Sequence, residues 1–441
     1  MKVNVDFEFM RPLIGTVPFP RIVRMEQSFD PAHIEEAHIE ELVYTQLIHS
    51  ERFQTIRSEQ RIAITCGSRG LDGYVQMTRA VVRAVKSRGA IPFLVPAMGS
   101  HGGASADGQA EMVRTLGITE ESVGAPIISS MEVDQLAFIA DGRPVFLDRA
   151  AHQADGIILI NRIKCHTGFR GKYESGLMKM MAIGLGKREG AKFYHQTGYG
   201  QMHTTIEEVG AAILEHANII CGVAQIENSF GKAAHIEVVD SNRIIDREPE
   251  LLHMANSYLP KLPFAKLDVC CIQKIGKNIS GTGFDHNILG RFPDHPEIGT
   301  SVTRLAILDL TEISHGNGSA MGRADIITQR FLDKTELSQI YPNAITSTSI
   351  DSAKIPLIVP TDRDALTVGI RTSFLVDFCT ARIAFVESTK NMKVFYASEN
   401  LVDEALSNGA SVVGTPFEIP YDTDGTLKLV YILPLKSNFE A

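Results

Sequence analysis

The chain has 441 residues, 44% apolar and 22% charged, an ordinary globular composition and more length than one hydrophobic core usually serves. Its 52 acidic residues outnumber 43 basic ones for a formal net charge of -9, without long runs of one sign, which argues against a nucleic-acid partner or an anionic membrane surface. Six cysteines with no CxxC pair fit neither a disulfide scaffold nor a zinc ribbon and point to a reducing compartment.

The opening run MKVNVDFEFMRPLIG carries acidic residues and no continuous apolar stretch. It reads as neither a signal peptide nor a transmembrane segment, so the expected location is cytoplasmic. Arg61 to Thr65 (RIAIT) is a short β-rich run that breaks into the turn Cys66-Gly67-Ser68-Arg69-Gly70. Val75, Thr78, Val81, Val82 and Val85 then recur at helical spacing as far as Gly89, and Ile91 to Val95 (IPFLV) predicts a buried strand. The alternation continues through a helix near Gln109 to Leu116, strands near Pro126 to Ser130 and Gly156 to Ile160, a helix near Thr204 to His216 and a strand over Ile219 to Gln225. After a helix-like stretch from Glu248 to Tyr258, the run PKLP at Pro260 to Pro263 marks a break. Strands are then expected at Leu267 to Ile272, Arg304 to Leu310 and Arg382 to Glu387, with a Gly-rich loop at Gly276 to Gly283.

Repeated strand and helix units predict an α/β fold of two Rossmann-like domains, residues 1–262 and 263–441, with mostly parallel sheets and an active-site cleft between them. In parallel sheets ligands bind beyond the strand C-terminal ends. Three polar clusters follow apolar strand runs here: CGSRG, GSHGG and NRIKCHTGFRGKY. They are expected to converge.

His101 sits between a strand end and glycines, where it is either an exposed acid–base group or a turn histidine bonded to backbone. His166 repeats the placement among Arg162, Lys164, Arg170 and Lys172, cations that suit a carboxylate or phosphate, or else form a solvated basic loop. Two strand-end histidines suit proton transfer on opposite faces of one substrate. Lys179 is the only ionisable side chain in SGLMKMMAIGLG, Ser175 to Gly186, a predicted helix. Such a lysine either snorkels to water or is buried, with a lowered pKa and an amine available for covalent chemistry. His195, in KFYHQTG, is close enough in sequence to serve the same site, and imidazole is a common nickel ligand. No HExxH, GxxxxGK[ST] or GxSxG motif occurs, and neither Gly184, Gly186 and Gly190 nor Gly281 and Gly283 complete a GxGxxG pattern.

In order, GSRG, GSHGG, the His166 loop, the lysine in GLMKMMAIGLG and the histidine in KFYHQTG resemble the nickel-dependent lactate racemase family. The resemblance spans most of the first domain. It implies an isomerase that racemises or epimerises C2 of a 2-hydroxy acid by hydride transfer to a nickel-pincer nucleotide, pyridinium-3,5-bisthiocarboxylic acid mononucleotide, supplied by cofactor-building enzymes. By match of motif, Lys179 resembles the covalent tether, His195 the nickel ligand, His101 and His166 the base and acid, and Ser68 and Arg69 the contacts to cofactor or substrate. Cys66 stands where that family commonly has an acidic residue.

The second-domain run GKNISGTGFDHNILGRF departs from the family's lactate contacts. Added donors at Arg170, Lys172, Lys277, Asn278 and Asn287 would bind the extra hydroxyls or second carboxylate of a larger, more polar substrate such as a sugar acid. Two other readings stand beside this one. A zinc-dependent hydrolase or lyase predicts metal without an adduct on Lys179, and a non-catalytic organic-anion-binding relative predicts binding that survives replacement of Lys179. Self-association is left open.

Overall fold

The N-terminal run IVRME extends as strand β1, Ile22–Glu26, and pairs antiparallel with strands from the last fifty residues of the chain's sheet-forming region rather than with the residues that follow it. The computed structural model describes residues 5–196, 198–292, 295 and 297–431, with the side chains of His195, Tyr199 and Thr346 outside the described set. Two compact units result, one spanning Asp30–Leu259 and the other running from Pro260 onward together with the segment up to Phe29. The boundary at Pro260 falls in the PKLP break. The first 29 residues, placed in the N-terminal domain by sequence reading, belong with the C-terminal unit, because β1 fills a gap in its sheet.

In the unit Asp30–Leu259 the strands are β2 (Arg61–Cys66), β3 (Ile91–Pro96), β4 (Val133–Phe138), β5 (Pro144–Asp148), β6 (Gly156–Arg162), β7 (Ile219–Glu227) and β8 (Ala233–Asp240). The order β3-β2-β6-β7-β8 is parallel except for β8, which runs antiparallel to β7. β4 and β5 form a separate antiparallel ribbon. The expected strand at Pro126 to Ser130 reduces to one bridge, between Leu94 and Ile127, because the chain leaves the sheet edge at once for the β4–β5 ribbon.

β6 shows why these runs become central strands. Gly156 to Ile160 is buried at every position, with residues alternating between two cores, one holding Leu159 and the other Ile158 and Ile160. Each Ile or Leu buried this way contributes about 1.5–3 kcal/mol. A continuous apolar run is what a strand covered on both faces requires. The helix Tyr74–Ser87 covers one face with Met77, Val81, Ala84 and Val85, a stripe at helical spacing.

The other unit is built from β1 with β9 (Lys266–Ile272), β10 (Ser301–Ile307), β11 (Ile326–Thr328), β12 (Leu357–Val359), β13 (Ile383–Ser388), β14 (Asn391–Ser398) and β15 (Ser411–Phe417). Its order is β12-β11-β10-β9-β13-β14-β1-β15, parallel from β12 to β13 and antiparallel beyond. The protein is therefore α/β, with mostly parallel sheets. Among the described residues no helix is long and apolar enough to cross a membrane.

Candidate functional site

In the sheet β3-β2-β6-β7-β8 the chain leaves β2 for β3 on one side and returns to β6 on the other. This reversal opens a crevice at the C-terminal ends of β2 and β6, where ligands of open parallel sheets bind. The loops after β2, β3 and β6 carry the three polar clusters.

The β2 and β3 exits meet where Ala97 N donates to Cys66 O at 2.7 Å and where His101 Nδ1 stands 2.6 Å from Ser68 Oγ. His101 is exposed and Ser68 half-buried. Gly102 turns the chain with φ 65°, and a Cβ there would stand 2.7 Å from Gln109 N, so this approach excludes a side chain. The β2 loop also rests on the segment after Lys179: a Cβ at Gly67 would lie 3.4 Å from Met180 Cε.

The β6 loop folds back on itself. Lys164 and Ser175 exchange two backbone bonds, at 2.9 and 3.2 Å. Inside this closure, His166 N donates to Glu174 Oε2 at 2.5 Å, and Gly168 N donates to His166 Nδ1 at 3.0 Å. The His166 ring stacks on Phe169 with centroids 4.2 Å apart. Arg170 Nη1 donates to His166 O at 2.8 Å and to Glu174 Oε2 at 3.1 Å. Arg170 thus braces the loop that displays His166. Lys172 is exposed and reaches Glu207 Oε1 at 3.6 Å.

Lys179 closes a single helical turn, Leu177–Lys179, that continues as a π-helical turn over Met180–Leu185. Sequence periodicity predicts one helix here, and the π turn is the difference; such turns often occur at functional sites. The turn is capped by Glu248 from the helix Ile244–Ser257, whose Oε2 accepts from Met178 N at 2.9 Å. Burial pushes the Glu248 carboxyl up to about 8. The Lys179 ammonium lies 5.8 Å from the Phe169 ring centroid. Desolvation first, then repulsion from Lys164 and Arg69 against attraction from Glu174, lowers its pKa to about 8. Arg69 is lowered as well, by the surrounding protein and by Arg162. Arg162 itself is paired with Glu227.

His195 ends the helix Lys187–His195, and its side chain lies outside the described residues. Lys277 and Asn287 lie in the other unit and engage their own loops. Lys277 Nζ donates to Gly281 O at 2.8 Å, Asn287 Nδ2 donates to Asp285 Oδ1 at 2.7 Å, and Asn278 Oδ1 accepts from Thr311 Oγ1 at 2.8 Å. Among the described residues no three His, Cys, Asp or Glu side chains gather into a metal site. Cys66 is fully buried and bonded toward Tyr74, and burial pushes its thiol up to about 12, so it behaves as core rather than as a reactive thiol.

Sequence reading missed Glu174, Phe169, Glu248, Gln109, Asp148 and Lys187. Glu174 had a signal, since Arg170 and Glu174 are four residues apart. The burial of Glu248 and Lys187 had none, because each lies in a charged, surface-like run, REPE and GKREG.

A family model described as a domain of unknown function, DUF362, matches residues 66–245. No curated protein matches. Among solved structures, the chain is similar to the lactate racemase apoprotein from Thermoanaerobacterium thermosaccharolyticum, with 10% identity, 65% of this chain and 74% of that chain covered, and a TM-score of 0.41.

Proposed function

We propose that this chain is an isomerase that inverts C2 of a 2-hydroxy acid larger or more polar than lactate, such as a sugar acid, with a nickel-pincer nucleotide tethered through Lys179. The observation that carries the reading is the Lys179 amine: lowered to about 8, it is set among Arg69, Lys164 and Glu174 in the β2–β6 crevice. A lysine in that state has a substantial neutral fraction near neutral pH, which covalent attachment requires. The cations beside it suit a phosphate or carboxylate. These features fit the tether half of the cofactor site. The nickel-ligand half is assigned to His195 by motif. When bound, the group supplies a hydride acceptor at C2 of the substrate.

The chain's own residues then have distinct tasks. Nδ1 of His101 faces Ser68 Oγ and Nδ1 of His166 accepts from Gly168 N, contacts that orient the two rings. Imidazole side chains suit removal and return of a hydroxyl proton, because their ordinary titration lies near neutrality. Arg69 is assigned to the substrate carboxylate or cofactor phosphate. The Arg170–Glu174 brace and the Phe169 stack hold His166 in place.

The test is intact mass with nickel analysis on protein co-produced with the cofactor-building enzymes, comparing wild type with Lys179→Ala. A mass increment and nickel that both vanish in the variant support the reading. No increment in either protein, despite verified cofactor synthesis, sinks it.

A further inference from the structure

Lys187 lies midway in sequence between Lys179 and His195, at the junction of the π-helical turn and the helix Lys187–His195, and it is fully buried. Its backbone has φ 52°, a left-handed conformation that a residue other than glycine keeps only when its surroundings hold it. The ammonium donates to Pro96 O at 2.5 Å and Gln109 Oε1 at 3.2 Å, and Asp148 Oδ2 stands 3.1 Å away as its counter-charge. Asp148 and Gln109 are also fully buried.

The remaining capacity of Gln109 is spent on the His101 loop. Its Nε2 donates to Gly99 O at 2.8 Å and to His101 O at 3.2 Å. The carbonyls of Pro96, Gly99 and His101, spread along the exit from β3, are therefore all fixed by Lys187 and Gln109. From the other side, Gly99 N donates to Gly184 O at 3.2 Å, on the π-helical turn. Ala104 in the same loop takes φ 52°, a conformation that a residue other than glycine keeps only with support from its surroundings. A buried ion pair is weak evidence for stability, because well-packed apolar residues in its place are often as stable. What apolar residues would not do is hold three carbonyls in register.

We infer that Asp148, Lys187 and Gln109 form a buried positioning relay that locks the His101 loop to the segment carrying Lys179 and His195. The relay is a set of positioning residues and touches no substrate; it rests on the reading of His101 as a proton-exchanging group. Asp148 holds the ammonium, the ammonium orients the Gln109 amide, and the amide fixes the loop that aims the imidazole at Ser68.

The test reads the imidazole directly in the full-length chain labelled with 13C at histidine Cε1, at one fixed pH. The His101 signal is identified by its loss in His101→Gln. Gln109→Glu keeps an acceptor for Lys187 and removes both donors to the loop; Asp148→Asn with Lys187→Met removes the pair without leaving either charge alone. In both proteins the His101 signal is expected to shift or to broaden beyond detection while the His33, His49 and His216 signals keep their positions. A lowered melting temperature with an unchanged His101 signal in Gln109→Glu would overturn the relay and leave the network a purely structural one. Because this spectrum is recorded without cofactor or substrate, it fails or succeeds independently of the adduct on Lys179.

Discussion

His101 Nδ1 stands 2.6 Å from Ser68 Oγ, a contact between the loops leaving two adjacent parallel strands, β3 and β2. It orients the imidazole. Replacing His101 with Gln is expected to lower the isomerisation rate about 10²–10⁴-fold, the span of a positioned acid–base group. Ser68→Ala keeps the imidazole and loses its orientation, so its loss is expected to be smaller. The check is the rate of C2 inversion in cofactor-loaded protein. Equal losses in the two variants would mean that Ser68 does more than orient the ring.

The state of Lys179 gives a pH prediction. In protein made without the cofactor-building enzymes, acylation of Lys179 by an amine-selective reagent is expected to rise with pH and level off above about 8 rather than 10.5. Lys164→Met removes a repelling charge and moves the midpoint up; Glu174→Gln removes the attracting one and moves it down. The unfolded chain holds this proton up to its ordinary 10.5, so it binds more protons than the folded chain between about 8 and 10.5, and stability rises with pH across that window. Lys179→Met is therefore expected to stabilise the protein at neutral pH, with the gain fading as pH approaches 10.5. Peptide mapping of the acylated site and urea unfolding at several pH values check both statements.

Glu248 titrates in the opposite sense. Its folded pKa is about 8 against an ordinary 4.5, so the folded chain binds more protons in between, and stability falls as pH rises from 4.5 to 8. Glu248→Gln keeps an oxygen for Met178 N and removes the titration, so the slope over that window is expected to flatten by as much as a few kcal/mol in total. A pH series of denaturation midpoints reads this. An unchanged slope would show that the carboxyl is not held neutral.

Much of the first sheet was legible because its strands announce themselves by composition. RIAIT, IPFLV and GIILI are apolar on both faces, and each is followed by glycine or polar residues at the strand end where a crevice forms. The placement of His101 and His166 in loops after β3 and β6 follows from that pattern alone. Two kinds of information were not local. β1 pairs with β14 and β15, hundreds of residues away, and five residues of moderate β character carry no mark of that partner. Arg170 reads as a cation for substrate, and the carboxylate it meets four residues on, Glu174 at 3.1 Å, is visible in the sequence only as a spacing. Lys187 shows the limit most clearly: GKREG looks like a solvated helix start, and only the packing of Asp148 and Gln109 around it makes the lysine internal.

The buried pair Asp148–Lys187 also makes a prediction about energetics, separate from the position of His101. Both groups are fully buried, and burial pushes the carboxyl up and the ammonium down while each holds the other charged. Asp148→Asn alone leaves a cation without its counter-charge, and Lys187→Met alone leaves a carboxylate with backbone donors at Ala151, 2.9 Å away, and Ala150 but no counter-charge. Each single change is expected to destabilise by about 3–5 kcal/mol, the usual cost of stranding one partner of a buried pair. The double variant removes both charges and is expected to recover most of that loss, so the two single effects will not add. Urea unfolding of the four proteins closes the cycle. Additive losses would mean that Asp148 and Lys187 act on the fold separately, through Ala151 on one side and Pro96 and Gln109 on the other, and that the 3.1 Å contact between them contributes little.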